Sequence, residues 1–265
     1  MEFLELGKTG EKIPVIGMGT WKLSKDGVSA LKTGISLGSN FIDTAEMYQT
    51  EKFVAEILKE NRDEVFIATK VSPHHLRYDD VIKACNNSLN ALGIKTIDLY
   101  QIHWPNPSIP ISETIKAMEK LVSEGKIRYI GVSNFSIKEL KEAQEAMKSG
   151  EIVSNQIEYS VTERDPESSG MSAYCLSEKI TIIAYSPLGS GSVLSISNKK
   201  IYGKLNEIGS KYGKSAAQVA LNWLISKRNI TAIPKANTPD HMAENIAASG
   251  WKLKPEDISE INSFL

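Results

Sequence analysis

Four residues able to move a proton stand at or just beyond the ends of separate apolar runs. Asp43 closes NFID, Lys70 closes FIATK, His103 closes LYQIH, and Tyr48 follows Asp43 by five positions. A phenol normally titrates near pH 10 and holds its proton too tightly for easy release at pH 7. An ammonium about 4 Å away favours the phenolate by about 4 kcal/mol at an effective dielectric of about 20, before desolvation is counted. The set therefore predicts a relay. Asp43 orients Lys70, Lys70 lowers the pKa of Tyr48, and Tyr48 protonates a developing alkoxide while His103 hydrogen-bonds the same substrate oxygen. An alkoxide develops when hydride adds to a carbonyl, so the set calls for a hydride donor.

Positioning these groups requires a repetitive scaffold. Short β-branched runs recur at 15–21, 40–45, 64–71, 96–104, 127–134, 153–160, 180–188 and 230–236. Most are continuously apolar rather than alternating, as in strands covered on both faces. Helical periodicity fills the gaps: 24–37, 51–60, 79–92, 112–124, 136–148, 167–178, 201–212, 215–227 and 238–249, with a last helix over 255–264. Gly38, Gly93 and Gly125 stand where helices want a left-handed terminator. Ser136 with Glu139, and Ser112, look like N-caps.

Parallel neighbours need helical crossovers. Eight such units predict an α/β fold of the (β/α)8 barrel type, as one domain over 1–265, with its active site at the C-terminal ends of the strands. An open doubly wound sheet fits less well, because no G-x-G-x-x-G follows a strand. The Gly/Ser-rich stretch 188–200 reads as a mobile loop.

Composition excludes several functions. With 265 residues, 41% hydrophobic and 24% charged, the chain affords a sizeable core. A net charge of −1 with no basic block argues against nucleic acid. No run is long and apolar enough to span a membrane, and the acidic start MEFLELGKTGEK is no signal peptide. Cys85 and Cys175 stand far apart, as thiols in a reducing cytoplasm do. The four histidines form no metal-ligand spacing, so no metal is expected.

The segments GMGTW, NFIDTAEMYQTE, FIATKV, IDLYQIHWP, GKIRYIGVSNF, NQIEY, AYSPLGSG, AAQVALNW and IPKANTPDHMAEN run the length of the chain. In them the sequence resembles the aldo-keto reductases. The resemblance implies an NAD(P)H-dependent reductase of aldehydes and ketones, with NADP(H) and also NAD(H) as cofactor. It makes Asp43, Tyr48, Lys70 and His103 the catalytic tetrad. Gly19, Thr20, Trp21 and Asp43 line the cofactor cleft. Ser133, Asn134 and Gln156 hold the nicotinamide carboxamide, and Tyr185 stacks on the ring. Ser186, Leu188, Gly189 and Ser190 lie along the pyrophosphate. Lys235, Ala236, Asn237 and His241 face the adenosine ribose and its 2′-phosphate, and Glu244 and Asn245 meet the adenine. Trp21, Met47, Tyr48, His103 and Trp104 line a substrate mouth suited to small carbonyl compounds, with His74 a further candidate.

Two departures stand out. The family usually has Ser or Thr after the IPK lysine and Arg six residues past that lysine. Here these are Ala236 and His241. A neutral imidazole lacks the planar, permanently charged fork of arginine, so NADPH selectivity should be weak. The chain ends soon after its last helix, which suggests an open pocket for small aldehydes and α-ketoaldehydes. A monomer or weak homo-oligomer is expected. Two alternatives stay open: a slow or non-catalytic cofactor-sensing subunit, and a Schiff-base aldolase using Lys70.

Overall fold

The computed structural model describes residues 1–195 and 198–263. The chain begins with an antiparallel hairpin of β1 (Phe3–Glu5) and β2 (Lys12–Pro14). Eight strands then pair in sequence order, every pair parallel. They are β3 (Met18–Gly19), β4 (Phe41–Asp43), β5 (Phe66–Val71), β6 (Ile97–Ile102), β7 (Ile127–Ser133), β8 (Ile152–Glu158), β9 (Thr181–Tyr185) and β10 (Ile230–Ala232). The continuous apolar runs form these strands because helices cover one face and the strands' own side chains fill the other.

The ends of this sheet meet. Ile16 bridges Ala232 in parallel, Gly17 N–H donates to Ala232 O at 2.8 Å, and Gly19 N–H donates to Pro234 O at 3.2 Å. Ala232 N–H returns a bond to Val15 O at 3.0 Å, which closes the (β/α)8 barrel. At this seam a Cβ on Gly19 would lie 2.6 Å from the Ile233 carbonyl oxygen, so the approach requires glycine.

Around the barrel run α1 (Val28–Ser36), α2 (Glu51–Asn61), α3 (Tyr78–Leu92), α4 (Ile111–Ser123), α5 (Ile137–Ala146), α6 (Asp165–Ser168), α7 (Met171–Glu178), α8 (Lys199–Ser210), α9 (Ala216–Ile225), α10 (Pro239–Ile246) and α11 (Pro255–Asn262). Gly38, Gly93 and Gly125 all have positive φ, and Ser136 with Glu139 forms a reciprocal capping box.

Three helical readings need correction. The stretch 167–178 is two short helices, because Gly170 at φ 79° breaks the run. Ser112 is no N-cap, since the extended Pro110 holds the cap position and Ser112 lies inside the first turn of α4. The first α-helix starts at Val28, after a 3-10 turn over Lys25–Gly27. Within 188–200, 3-10 turns cover Gly189–Leu194; residues 196–197 and Phe264 lie outside the described residues.

The hairpin was not legible in the sequence. It places Leu6 and Ile13, both fully buried, against Phe41, Phe66, Leu99, Val153 and Ile183 inside the barrel, and so plugs its floor. Beside it, at the start of β6, buried Asp98 gathers three donors. Arg62 Nη2 lies 3.0 Å away, Arg128 Nη1 2.8 Å, and the Ile67 backbone N–H 2.9 Å. A buried carboxylate is tolerated when paired and hydrogen-bonded in this way. Asp98→Ala should lower unfolding stability by about 2–3 kcal/mol, measured by urea titration, because it strips a charged acceptor from several donors. Chemistry at the opposite rim should be unaffected, so an equal loss of cofactor affinity would contradict this division of labour.

Candidate active site

Side chains alternate along a strand, so every second residue faces the barrel interior. Phe41, Ala68, Leu99 and Ile183 form the apolar layer of that interior. The next inward positions are polar: Asp43 on β4, Lys70 on β5, Gln101 on β6 and Gln156 on β8, all buried. Lys70 Nζ donates to Asp43 Oδ1 at 2.6 Å and to the Thr44 carbonyl at 2.9 Å. The other carboxylate oxygen, Asp43 Oδ2, accepts from Gln156 Nε2 at 2.8 Å and from Gln101 Nε2 at 3.3 Å. Burial pulls Lys70 below its usual pKa, and the Asp43 carboxylate counteracts that pull.

Tyr48 and His103 sit above this layer. Tyr48 ends a 3-10 turn over Glu46–Tyr48, which Glu46 fastens to the loop after β5. The Glu46 carboxylate accepts from Ser72 N–H at 2.9 Å and lies 2.6 Å from His75 Nδ1. The Tyr48 hydroxyl is 3.4 Å from His103 Nε2, and Lys70 Nζ lies 5.0 Å from the centre of the Tyr48 ring. These contacts bring Asp43, Tyr48, Lys70 and His103 into one cluster.

Its electrostatics differ from the sequence expectation in one respect. Burial, and then the Asp43 charge, push the Tyr48 phenol above its usual pKa, where the sequence pointed to a lowered one. The ammonium that was to lower it is committed to Asp43 and Thr44. Tyr48 is therefore a protonated phenol throughout the physiological range. It can still act as an acid toward an alkoxide, whose conjugate alcohol titrates at about 16, like water. His103 moves down, to about 3, through burial and then the Lys70 charge, so its imidazole is neutral. Its Nδ1 is buried without a hydrogen-bond partner.

The residues expected to hold the nicotinamide form a second connected set. Asn134, at φ 61°, donates through Nδ2 to the His103 carbonyl at 3.1 Å and to Ser133 Oγ at 3.0 Å. Ser133 Oγ donates to the Gln156 carbonyl at 2.9 Å, and the Tyr185 hydroxyl donates to Asn134 Oδ1 at 3.0 Å. Beyond β9, Ser186, Gly189 and Ser190 all have positive φ, which turns the backbone sharply over 186–190, with Leu188 half-buried between them. Successive backbone N–H groups in such turns make a cradle that fits an anion such as a pyrophosphate. At the seam, Thr20 is buried and shares a hydroxyl contact of 3.1 Å with Thr50.

The residues expected to face the adenosine follow β10: Lys235, Ala236 and Asn237 precede α10, and His241, Glu244 and Asn245 lie on it. Lys235 and His241 are exposed and Ala236 is buried. Asn237 Oδ1 accepts from Ser24 N–H at 3.3 Å, and the Glu244 carboxylate accepts from Ser215 Oγ at 2.6 Å. Asn245 is buried on α10. Trp21, Met47 and Trp104, the residues expected to line the substrate mouth, stand about half exposed (50%, 51% and 47%). His74 is exposed too.

Sequence reasoning missed Gln101, Glu46 and the Thr44 carbonyl. Gln101 had a signal, since it precedes His103 by two in a strand and must share its face. The Glu46 contact depends on a loop conformation and had none.

The lowered His103 pKa has a consequence for stability. In the unfolded chain this residue takes up a proton near pH 6.5, and in the folded chain it does not until about pH 3. The unfolded state then binds more protons, so stability falls as pH drops through that window. Urea midpoints should decline less between pH 7 and pH 5 in His103→Gln than in the unsubstituted protein. Equal declines would show that His103 titrates normally.

The chain matches the model of the Aldo/keto reductase family over residues 15–265. It is 36% identical over 259 residues to methylglyoxal reductase YeaE of Escherichia coli, covering 94% of this chain and 90% of that protein. With glyoxal reductase of Bacillus subtilis the identity is 33% over 262 residues, covering 96% and 90%. A solved thermostable aldo-keto reductase, Tm1743, bound to the inhibitor epalrestat, superposes with a TM-score of 0.93 at 41% identity, covering 99% of both chains. An aldo/keto reductase from Klebsiella pneumoniae, solved with NADP and acetate, gives 0.91 at 32% identity, covering 98% and 94%. The chain is thus an oxidoreductase belonging to the aldo/keto reductase family.

Proposed function

We propose that the protein reduces aldehydes and ketones to alcohols, with Tyr48 as the general acid and Asp43, Lys70 and His103 as its supporting catalytic residues. The observation that carries this reading is the Tyr48 hydroxyl beside His103 Nε2, above the buried Lys70–Asp43 pair. NADP(H) supplies the hydride, and NAD(H) is a second cofactor. The chain's own residues do the rest. Tyr48 and His103 converge on one substrate oxygen, and the neutral imidazole offers a hydrogen bond without competing to lose a proton. The fixed positive charge of Lys70 and the aligned donors favour the oxygen as it becomes negative.

Ser133, Asn134 and Gln156 hold the carboxamide, which needs both donors and acceptors, and Tyr185 supports the ring. Ser186, Leu188, Gly189 and Ser190 receive the pyrophosphate. Cofactor and substrate share one domain, 1–265. Small aldehydes and α-ketoaldehydes fit the apolar rim of Trp21, Met47 and Trp104. The names of the methylglyoxal and glyoxal reductases among the relatives favour the same class. A Schiff-base role for Lys70 is disfavoured, because that amine is buried and bonded to Asp43.

Tyr48→Phe should lower the rate of NADPH oxidation by methylglyoxal by about 10²–10⁴, the usual contribution of a positioned proton donor, while cofactor affinity is retained. Undiminished turnover in that variant would remove Tyr48 from the role. For the cofactor, His241→Arg should tighten NADPH about tenfold and leave NADH unchanged, because a guanidinium fork grips a phosphate that NADH lacks. Parallel fluorescence titrations with the two cofactors check this, and equal tightening would place His241 away from the 2′-phosphate.

A further inference from the structure

One carboxylate at the rim has no part in this chemistry. Above Gln156 on β8, the next inward position is Glu158, in register with Tyr185 on β9. In a parallel sheet such neighbours stand about one strand spacing apart, roughly 4.8 Å. Both line a cavity of about 690 Å³ at the strand ends, together with Trp104, Asn134, Glu163 and Lys138. Asp165 adds a third carboxylate to that wall, against the single ammonium of Lys138. Lys138 turns toward Glu142 on its own helix, at 3.7 Å. Among the described residues, the Glu158 carboxylate makes no ion pair or hydrogen bond, whereas Glu163 accepts from Asp165 N–H at 3.2 Å. Glu158 is exposed and Glu163 half-buried, so these like charges stand side by side at the strand end and act on each other. The charge reaches the neighbouring ring: the Tyr185 phenol is pushed up to about 12, through burial first and then Glu158.

We propose that Glu158, backed by Glu163, is the counter-charge for the oxidised nicotinamide. This rests on the reading of Tyr185 as the platform for that ring. Reduced nicotinamide is neutral and oxidised nicotinamide is a cation. The hydride goes to the carbonyl carbon and the Tyr48 proton to its oxygen, and neither carboxylate exchanges anything. Glu158 therefore gains an attraction only after transfer. It tightens NADP⁺ relative to NADPH, which makes the bound cofactor a stronger hydride donor and biases the site toward reduction. The Lys70 charge is one layer deeper in the barrel and paired with Asp43, whereas Glu158 stands level with Tyr185.

The test is binding, not turnover. NADP⁺ affinity is read from protein fluorescence quenching and NADPH affinity from energy transfer, at fixed salt, for wild type, Glu158→Gln, Glu158→Asp and Glu163→Gln. Glu158→Gln should weaken NADP⁺ by roughly fivefold to tenfold, the size of one unit charge acting across a partly solvated site, and shift NADPH by less than about twofold. Glu158→Asp, which keeps the charge, should stay near wild type. Glu163→Gln should shift the ratio in the same direction by less. Equal weakening of both forms, or an unchanged ratio, overturns the proposal. If wild type binds neither form, the cofactor reading itself falls, and the counter-charge role falls with it.

Discussion

The ion pair between Lys70 and Asp43 organises the centre of this molecule. A bare charge in a protein interior is prohibitively costly, and even a pair survives only when its remaining donors and acceptors are satisfied. Here the satisfaction comes from four strands. Asp43 lies on β4, Lys70 on β5, Gln101 on β6 and Gln156 on β8, and each must arrive at the same height in the barrel. A one-residue slip of any strand would turn its polar side chain outward. The pair is thus a registry mark for the barrel as well as a charge for the site. Its field extends upward too, since the Lys70 charge helps to keep His103 neutral.

The two halves of the proposed cofactor cleft are built differently. On the nicotinamide side, Ser133, Asn134, Gln156 and Tyr185 are already hydrogen-bonded to one another or to the adjoining backbone. Little side-chain freedom remains to be lost when a ligand arrives, which is the basis of preorganised binding. On the adenosine side, Lys235 and His241 project into solvent and Ala236 offers no polar atom. With the cofactor placed as proposed, orientation of the reacting ring would be strongly determined, whereas discrimination at its far end would be weak. Separating the two allows a change of cofactor preference without disturbing the reaction centre.

Much of this was visible in the sequence because its signals are local. Continuous β-branched runs gave the strands, glycines at helix ends gave the terminators, and residues at strand ends gave the rim. What escaped depends on long-range packing. The residues around Leu6 and Ile13 carry no marked periodicity, and their role appears only when the barrel they plug exists. Gly170 looks like any glycine in a helical stretch until its backbone is seen to turn left-handed. The direction of the Tyr48 shift was misjudged for a related reason. Sequence shows which charges are present, but desolvation depends on how completely the site is enclosed, and here enclosure outweighs the ammonium.

The plugged floor turns the barrel into a cup. Leu6 and Ile13 seal the lower end with apolar side chains, and the layer above them, from Phe41 to Ile183, is apolar as well. No chain of polar groups among these residues could carry a proton from below. If Tyr48 is the acid, as proposed, its proton returns from the rim side, the side on which a carbonyl compound enters. On that reading, recharging the acid and clearing the product share one side of the barrel.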